Sequence, residues 1–169
     1  MSEPVSGHPG IPTGTSVSDP ELAAVRAAVG AVVDPEVPVL TIADLGVLRS
    51  VERIDGRVVV TITPTYSGCP AMQYIADRVE DALSATGAVG EVRTVLSPAW
   101  TTDWLSDEGR RKLTDYGIAA PVTVRSRLAC PRCGSKRTKP ISEFGSTACK
   151  ALYRCEECLE PFDYFKELS

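Results

Sequence analysis

Six cysteines carry most of the chemistry open to this chain, and four of them stand in pairs. Cys130 and Cys133 form one C-x2-C knuckle and Cys155 and Cys158 another, with twenty-one residues between the knuckles. Two residues between paired cysteines let a single tight turn aim both sulfurs at one point, and two such turns facing each other complete a tetrahedral thiolate shell. The interval suits a β-hairpin joining the turns. The spacing therefore predicts one structural zinc per chain, closed by four protein ligands, with no open position for a water or a substrate. A redox dithiol or an iron–sulfur cluster in the same four ligands is the alternative. Residues 119–169 alone offer little core, so metal binding would supply most of their folding energy, on the order of 10 kcal/mol.

The two remaining cysteines are of a different kind. Cys69 lies in "TPTYSGCPAM", between Gly68 and Pro70, where a strand gives way to a helix. A thiol at a helix start faces unpaired backbone N–H groups and the positive end of the helix dipole, which suits a nucleophile or a soft-metal ligand. A small apolar filler is the competing reading. Cys149, six positions before Cys155, divides in the same way between a buried structural residue and a labile metal or cluster ligand. Asp34 and Glu36 in "DPEVPVLTIADLG", with Asp44 further along, add carboxylates to a proline-shaped loop. The one histidine, His8, lies in the N-terminal segment, so no Cys-His or Ser-His-Asp arrangement supports hydrolytic catalysis.

The elements that must position these groups follow from pattern. "SDPELAAVRAAVGAVV" places Asp19 as a helix cap, Pro20 in the first turn, and Leu22, Val25, Val29 and Val32 on one face. Two runs rich in Val and Ile joined by Asp55-Gly56 read as a β-hairpin. A second helix starts at Pro70, directly behind Cys69, with Met72, Ile75, Ala76, Val79 and Leu83 along one face and Gly87 as its stop. "GEVRTVL" gives a third strand, and Ser106 to Gly117 bound a short third helix. The fold class is α+β: a small α-β-β-α-β-α sandwich with helices on one face of the sheet, followed by a zinc-ribbon module. Residues 1–18 read as a disordered lead-in, 19–118 as the sandwich and 119–169 as the four-cysteine ribbon.

Composition excludes several classes. A net charge of -4 argues against nucleic-acid binding, and no apolar run reaches bilayer length. Without a signal-like start the expected location is the cytoplasm, where thiols stay reduced and metal ligation is preferred to disulfides. Residues 125–139 hold six Lys or Arg and no acid, whereas "EECLEPFDYFKE" is mostly acidic. That polarity reads as a solvated surface offsetting four thiolates, with an acidic docking partner as the sharper reading. Phe162, Tyr164 and Phe165 are expected to pack on the ribbon rather than anchor an interface.

The combination of D-P-E after the first helix, D-L-G before the hairpin and S-G-C-P before the second helix resembles the iron–sulfur-assembly domain of cytosolic iron–sulfur targeting factors and SufT-like proteins. The resemblance covers roughly residues 19–117 and implies the fold type shared with NifU C-terminal domains. With "CPRCGS…FGSTACKALYRCEECLEPFDYFK" attached, the chain resembles the PaaD (PaaJ) family, accessory subunits encoded with phenylacetyl-CoA epoxidase. What this implies is a maturation role in aerobic phenylacetate catabolism, assisting iron or iron–sulfur cluster delivery to the oxygenase or its reductase. In that family pattern the cysteine of the S-G-C-P turn is the functional position, here Cys69, joined as expected cargo-binding residues by Cys149, Asp34 and Glu36. The cargo would be iron or a cluster held transiently, and the chain would not itself be an enzyme. It has no Glu-x-x-His di-iron motif and no Gly-rich nucleotide fingerprint. A docking component in which Cys69 is incidental, and a thiol oxidoreductase acting through Cys69, are the alternatives. The expected partners are the oxygenase and reductase components, with a homodimer also open.

Overall fold

The computed structural model describes residues 19–122 and 128–168; the expected lead-in and His8 lie outside them. Helix α1 (Pro20–Gly30) starts where Asp19 accepts the backbone N–H groups of Glu21 and Leu22 at 3.0 and 3.4 Å, satisfying donors the helix cannot. Its Val25 and Val29 are fully buried. Strands β1 (Leu48–Ile54) and β2 (Arg57–Ile62) pair antiparallel through Asp55 and Gly56, whose φ values of 49° and 78° are the positive pair that a tight hairpin turn requires. Helix α2 (Ala71–Ala85) then buries Ala71, Ile75, Val79 and Leu83 and crosses to β3 (Gly90–Thr94), which runs parallel to β2. The first sheet has the order β1-β2-β3.

Helix α3 (Asp107–Tyr116) is capped by Ser106, whose hydroxyl accepts the Gly109 N–H at 2.9 Å, and ends at Gly117 with φ 93°. Strand β4 (Ile118–Ala119) follows at once and joins a second sheet made of β5 (Thr138–Ser142), β6 (Lys150–Cys155) and β7 (Pro161–Phe165), in the order β4-β7-β6-β5. The α-β-β-α-β-α order and the four-cysteine ribbon sheet are as the sequence pattern implies.

The expected division at residue 118 is not a gap in the packing. One apolar cluster runs from Val25, Ile62 and Val79 of the sandwich to Ile118, Cys149 and Phe165 of the second sheet. Trp100 meets the Phe165 ring edge-on at 6.3 Å between centroids and donates its indole N–H to the Leu45 carbonyl at 2.8 Å. The Thr102 N–H donates to the Leu168 carbonyl at 3.0 Å, and Arg110 donates to the carbonyls of Thr102 and Pro121. The ribbon keeps a smaller cluster of its own around Leu128, Tyr153, Phe162 and Tyr164, so two of the three aromatics beyond the last knuckle pack on the ribbon as expected, whereas Phe165 packs into the sandwich core.

The D-L-G segment serves this architecture. Asp44 accepts the N–H and hydroxyl of Thr41 at 3.0 and 2.9 Å and the Lys112 ammonium at 2.8 Å, tying the loop to α3. Burial alone would raise its pKa, but Lys112 and Thr41 outweigh burial and hold the carboxyl below its ordinary value. A depressed folded pKa contributes stability that is present above the unfolded value and lost as pH falls through the folded one. Lys112→Met is accordingly expected to lower stability most near neutral pH, the loss shrinking as pH falls through the carboxylate range, and to shift the acid unfolding midpoint to higher pH. An unmoved acid midpoint would refute this. Gly46 sits at φ 70°, and a Cβ there would lie 2.6 Å from the Trp104 Cβ. Left-handed strain and overpacking together make Gly46→Ala cost about 2–4 kcal/mol, read as a lower denaturant midpoint at unchanged slope.

Candidate functional site

Two constellations emerge, one at each end of β6. At its C-terminal end the sulfurs of Cys130, Cys133, Cys155 and Cys158 all lie within 4.8 Å of one another. Cys130 and Cys158 are 3.7 Å apart and Cys133 and Cys155 3.6 Å, close to the edge of about 3.8 Å that four Zn–S bonds of ordinary length would define in a tetrahedron. The knuckles are built by the backbone: Cys130 N–H donates to Ser135 O and Gly134 N–H to Cys130 O, both at 2.9 Å, while Cys155 N–H donates to Glu160 O at 3.0 Å. The N–H groups of Cys158 and Glu157 aim at the Cys155 sulfur and hold its pKa down to about 6, against burial. Cys158 goes the other way, to about 12: the Glu160 N–H favours its thiolate, but burial and the neighbouring sulfurs prevail. Four thiols crowded this closely want a cation among them, and zinc fits the donor set. Arg137 pairs with Glu157 at 2.8 Å and Lys139 with Glu156 at 3.6 Å, so part of the ribbon's basic stretch is answered by its own acidic end. Arg125 and Arg127 lie outside the described residues.

At the other end of β6 lies a mixed cluster. Asp34 is buried three residues past the cap of α1, and its Oδ1 accepts the N–H groups of Glu36 and Val37 at 2.8 and 2.7 Å. Burial raises its pKa against those bonds and Lys150. Glu36 is raised by burial and by the charge of Asp34, with Lys150 again opposing. Cys149, in the turn leading into β6, comes to the same place from more than a hundred residues away. It joins Asp34, Glu36, Val37, Leu45, Thr65 and Phe165 in lining a cavity of about 10 Å³. Its thiol is pushed up by burial, with Glu36 and Asp34 adding to the effect, while Thr147 Oγ1 lies 3.0 Å from the sulfur.

Cys69 does not line this cavity. It is half-buried against the sandwich core, in a turn closed by its N–H on the Tyr66 carbonyl at 3.3 Å, and its own carbonyl accepts the Met72 N–H at 3.2 Å. Helix α2 begins at Ala71 with Pro70 as its cap, one residue later than expected, because Pro70 takes helical angles without entering the helix. Cys69 is thus neither at the first helical turn proper nor fully open to solvent. Burial, then the charge of Cys69 and a side-chain hydrogen bond with it, then the charges of Glu36 and Cys149, push the Tyr66 phenol up to about 12. Among the described residues, the four ribbon sulfurs are the one group of three or more candidate donor atoms that converge. Cys149, Asp34 and Glu36 share a cavity without closing on a point, and Cys69 lies outside it.

Sequence reading missed Tyr66 and Lys150. Tyr66 stood in plain view inside the S-G-C-P stretch; nothing local marks Lys150, whose side chain is only 6% exposed. Its ammonium donates to the Glu36 carbonyl at 3.5 Å and faces Asp163 at 3.8 Å.

Residues 119–166 match the family described as PaaD zinc beta ribbon domain, and residues 22–94 that described as iron-sulfur cluster assembly protein. Over 158 residues the chain is 45% identical to an Escherichia coli (strain K12) protein named as one of the subunits of 1,2-phenylacetyl-CoA epoxidase, covering 89% of this chain and 96% of that protein. The chain belongs to the PaaD family. Its sandwich alone is similar to a Porphyromonas gingivalis protein named Fe-S protein maturation auxiliary factor, 36% identical over 48% of this chain and 80% of that protein. A solved structure of a DUF59 domain of unknown function from Bacillus anthracis superposes with a TM-score of 0.51 at 28% identity, covering 56% of this chain and 92% of that one. The iron–sulfur-assembly match ends at residue 94 and the ribbon match begins at residue 119, so Cys149 and Lys150 belong to the part a PaaD chain adds. No helix among the described residues is long and apolar enough to cross a membrane.

Proposed function

We propose that this PaaD-family chain is a non-catalytic maturation subunit of the phenylacetyl-CoA epoxidase system that carries iron or an iron–sulfur cluster to the oxygenase or its reductase. The observation that carries the reading is the meeting of Cys149 with Asp34 and Glu36 in one small cavity, residues brought together from more than a hundred positions apart. Cys69 and Cys149 are the soft ligands for the cargo, and Asp34 and Glu36 hard ones that exchange readily. Cys130, Cys133, Cys155 and Cys158 hold one structural zinc, which fixes β6 and with it the placement of Cys149; with four protein ligands it has no vacancy for chemistry of its own.

The test is to purify the epoxidase oxygenase and reductase after co-expression with and without this protein, and to measure iron and acid-labile sulfide per client chain. Under-metallated clients in its absence support delivery. Fully metallated clients that are nonetheless inactive until the protein is added back would replace delivery with a docking role.

A further inference from the structure

Among the described residues the two sheets end in four edge strands, β1, β3, β4 and β5, and three of these are broken or very short. β1 shifts register between Leu48 and Ser50, β5 carries Pro140 and a shift before Ser142, and β4 is two residues long. Bulges, proline and shortness are devices that keep an edge from pairing with another chain. β3 carries no break. It pairs with β2 alone, in unbroken register from Val58↔Gly90 to Ile62↔Thr94. The ladder reaches one residue further at each end, because the Val58 N–H donates to the Val89 carbonyl and the Val95 N–H to the Ile62 carbonyl, both at 2.9 Å. A parallel ladder uses alternate residues, so Val89, Glu91, Arg93 and Val95 turn their backbone groups to β2. Gly90, Val92 and Thr94 therefore turn theirs to the open side.

We propose that β3 is a self-pairing edge, to which a second copy of this chain adds its own β3 antiparallel across a two-fold axis at Val92, joining two three-stranded sheets into one. The edge is self-complementary in that register. Val92 faces its own copy and Gly90 faces Thr94 of the second copy, so the outward N–H and C=O groups are the ones exchanged. Glu91 and Arg93, which form an exposed ion pair within one strand, fall on the intervening pairs, where opposed side chains come closest. Glu91 of each copy then meets Arg93 of the other, and opposite charges in that position favour pairing. At both ends the register sets Val89 against Val95 and Leu96 against Ala88. It thereby covers two apolar side chains, Val89 and Leu96, that are 70% and 63% exposed in the single chain. Between α2 and β3 lies a groove of about 250 Å³, with Glu80, Leu83, Ser84 and Val92 in its lining, which leaves room beside the edge. A strand edge with this much flanking surface is smaller than the interface of a permanent dimer, so association is expected at micromolar concentration. The inference is independent of the carrier reading.

The test is the mass of the full-length protein by sedimentation equilibrium across the micromolar range, at low ionic strength, where exposed charge pairs are least screened. Wild type should pass from monomer to dimer as concentration rises. Glu91→Arg sets like charges against each other across the axis, and so does Arg93→Glu, so each alone should weaken the dimer at least tenfold. An equimolar mixture of the two variants should pair as wild type does, since the positive edge of one faces the negative edge of the other. The doubly reversed chain, Glu91→Arg with Arg93→Glu, should also dimerise. Thr94→Pro, which removes an outward N–H and leaves the β2 ladder intact, should stay monomeric. Misfolding cannot imitate this pattern, because mixing two damaged chains repairs neither. A wild type that stays monomeric throughout overturns the proposal. So does a dimer indifferent to the single reversals, which would lie on another surface, or a mixture that fails to pair. If wild type is monomeric while the same reversals abolish its binding to the purified oxygenase, the edge belongs to a client strand and the second copy is ruled out.

Discussion

Replacing Cys155 by serine will unfold the ribbon and loosen the sandwich beside it, lowering the thermal midpoint by more than about 10 °C. The substitution breaks a closed four-thiolate shell, and structural zinc of this kind contributes on the order of 10 kcal/mol to folding. The damage does not stop at the ribbon, because β6 and β7 bring Cys149 and Phe165 into the same apolar cluster as Val25, Val29 and Val79. With β6 released, Trp100 loses its Phe165 partner and Thr102 the Leu168 carbonyl. The expected result is loss of zinc together with a broadened, lower transition in which the near-ultraviolet signal of Trp100 weakens. A variant with less than one-tenth of the wild-type zinc and an unchanged melting curve would show that the two sheets stand independently.

Under the proposed carrier role, Cys69→Ala is expected to leave the fold in place and remove delivery. The side chain is half-buried and packed on the core, so its loss costs about 1 to 2 kcal/mol, too little to unfold a domain of this size. If Cys69 is a transfer ligand, as proposed, its loss halts the step it serves. Client iron and sulfide should fall to the level seen with no accessory protein at all, and epoxidase activity with them. Cys149→Ala is expected to act in the same direction with a larger stability cost, because that residue is buried in the shared cluster. If Cys69→Ala supports full client metallation and activity, the carrier role falls and a docking role takes its place.

Much of the fold was legible because it rests on local rules. Asp19, Ser106 and Gly117 mark helix ends, Asp55-Gly56 a hairpin, and two C-x2-C knuckles a thiolate shell, each within a few residues. Cys69, Asp34 and Glu36 were legible as candidates through their motifs, and Cys149 as a spare sulfur. Their arrangement was not. Lys150 reaches Glu36 across 114 positions, and Cys149 meets Asp34 at similar separation, so no periodicity connects them. Tyr66 escaped for another reason: its importance lies in what its hydroxyl faces, not in its place in a turn. The merging of two cores at Ile118 likewise depends on which face of β7 is covered by the sandwich, and a composition change near that point reads the same whether the surfaces meet or part.

The position of Cys149 and Lys150 late in the chain sets an order of events during synthesis. Residues 19–117 emerge from the ribosome first, complete with the D-P-E loop and the S-G-C-P turn, while the turn that closes the cavity over them does not yet exist. Closure waits on the last strand, since β6 is held between β5 and β7, and on the last knuckle cysteine, Cys158. A nascent chain thus exposes Asp34 and Glu36 before Cys149 and Phe165 are there to cover them. Prompt capture of metal by the four ribbon cysteines shortens that interval.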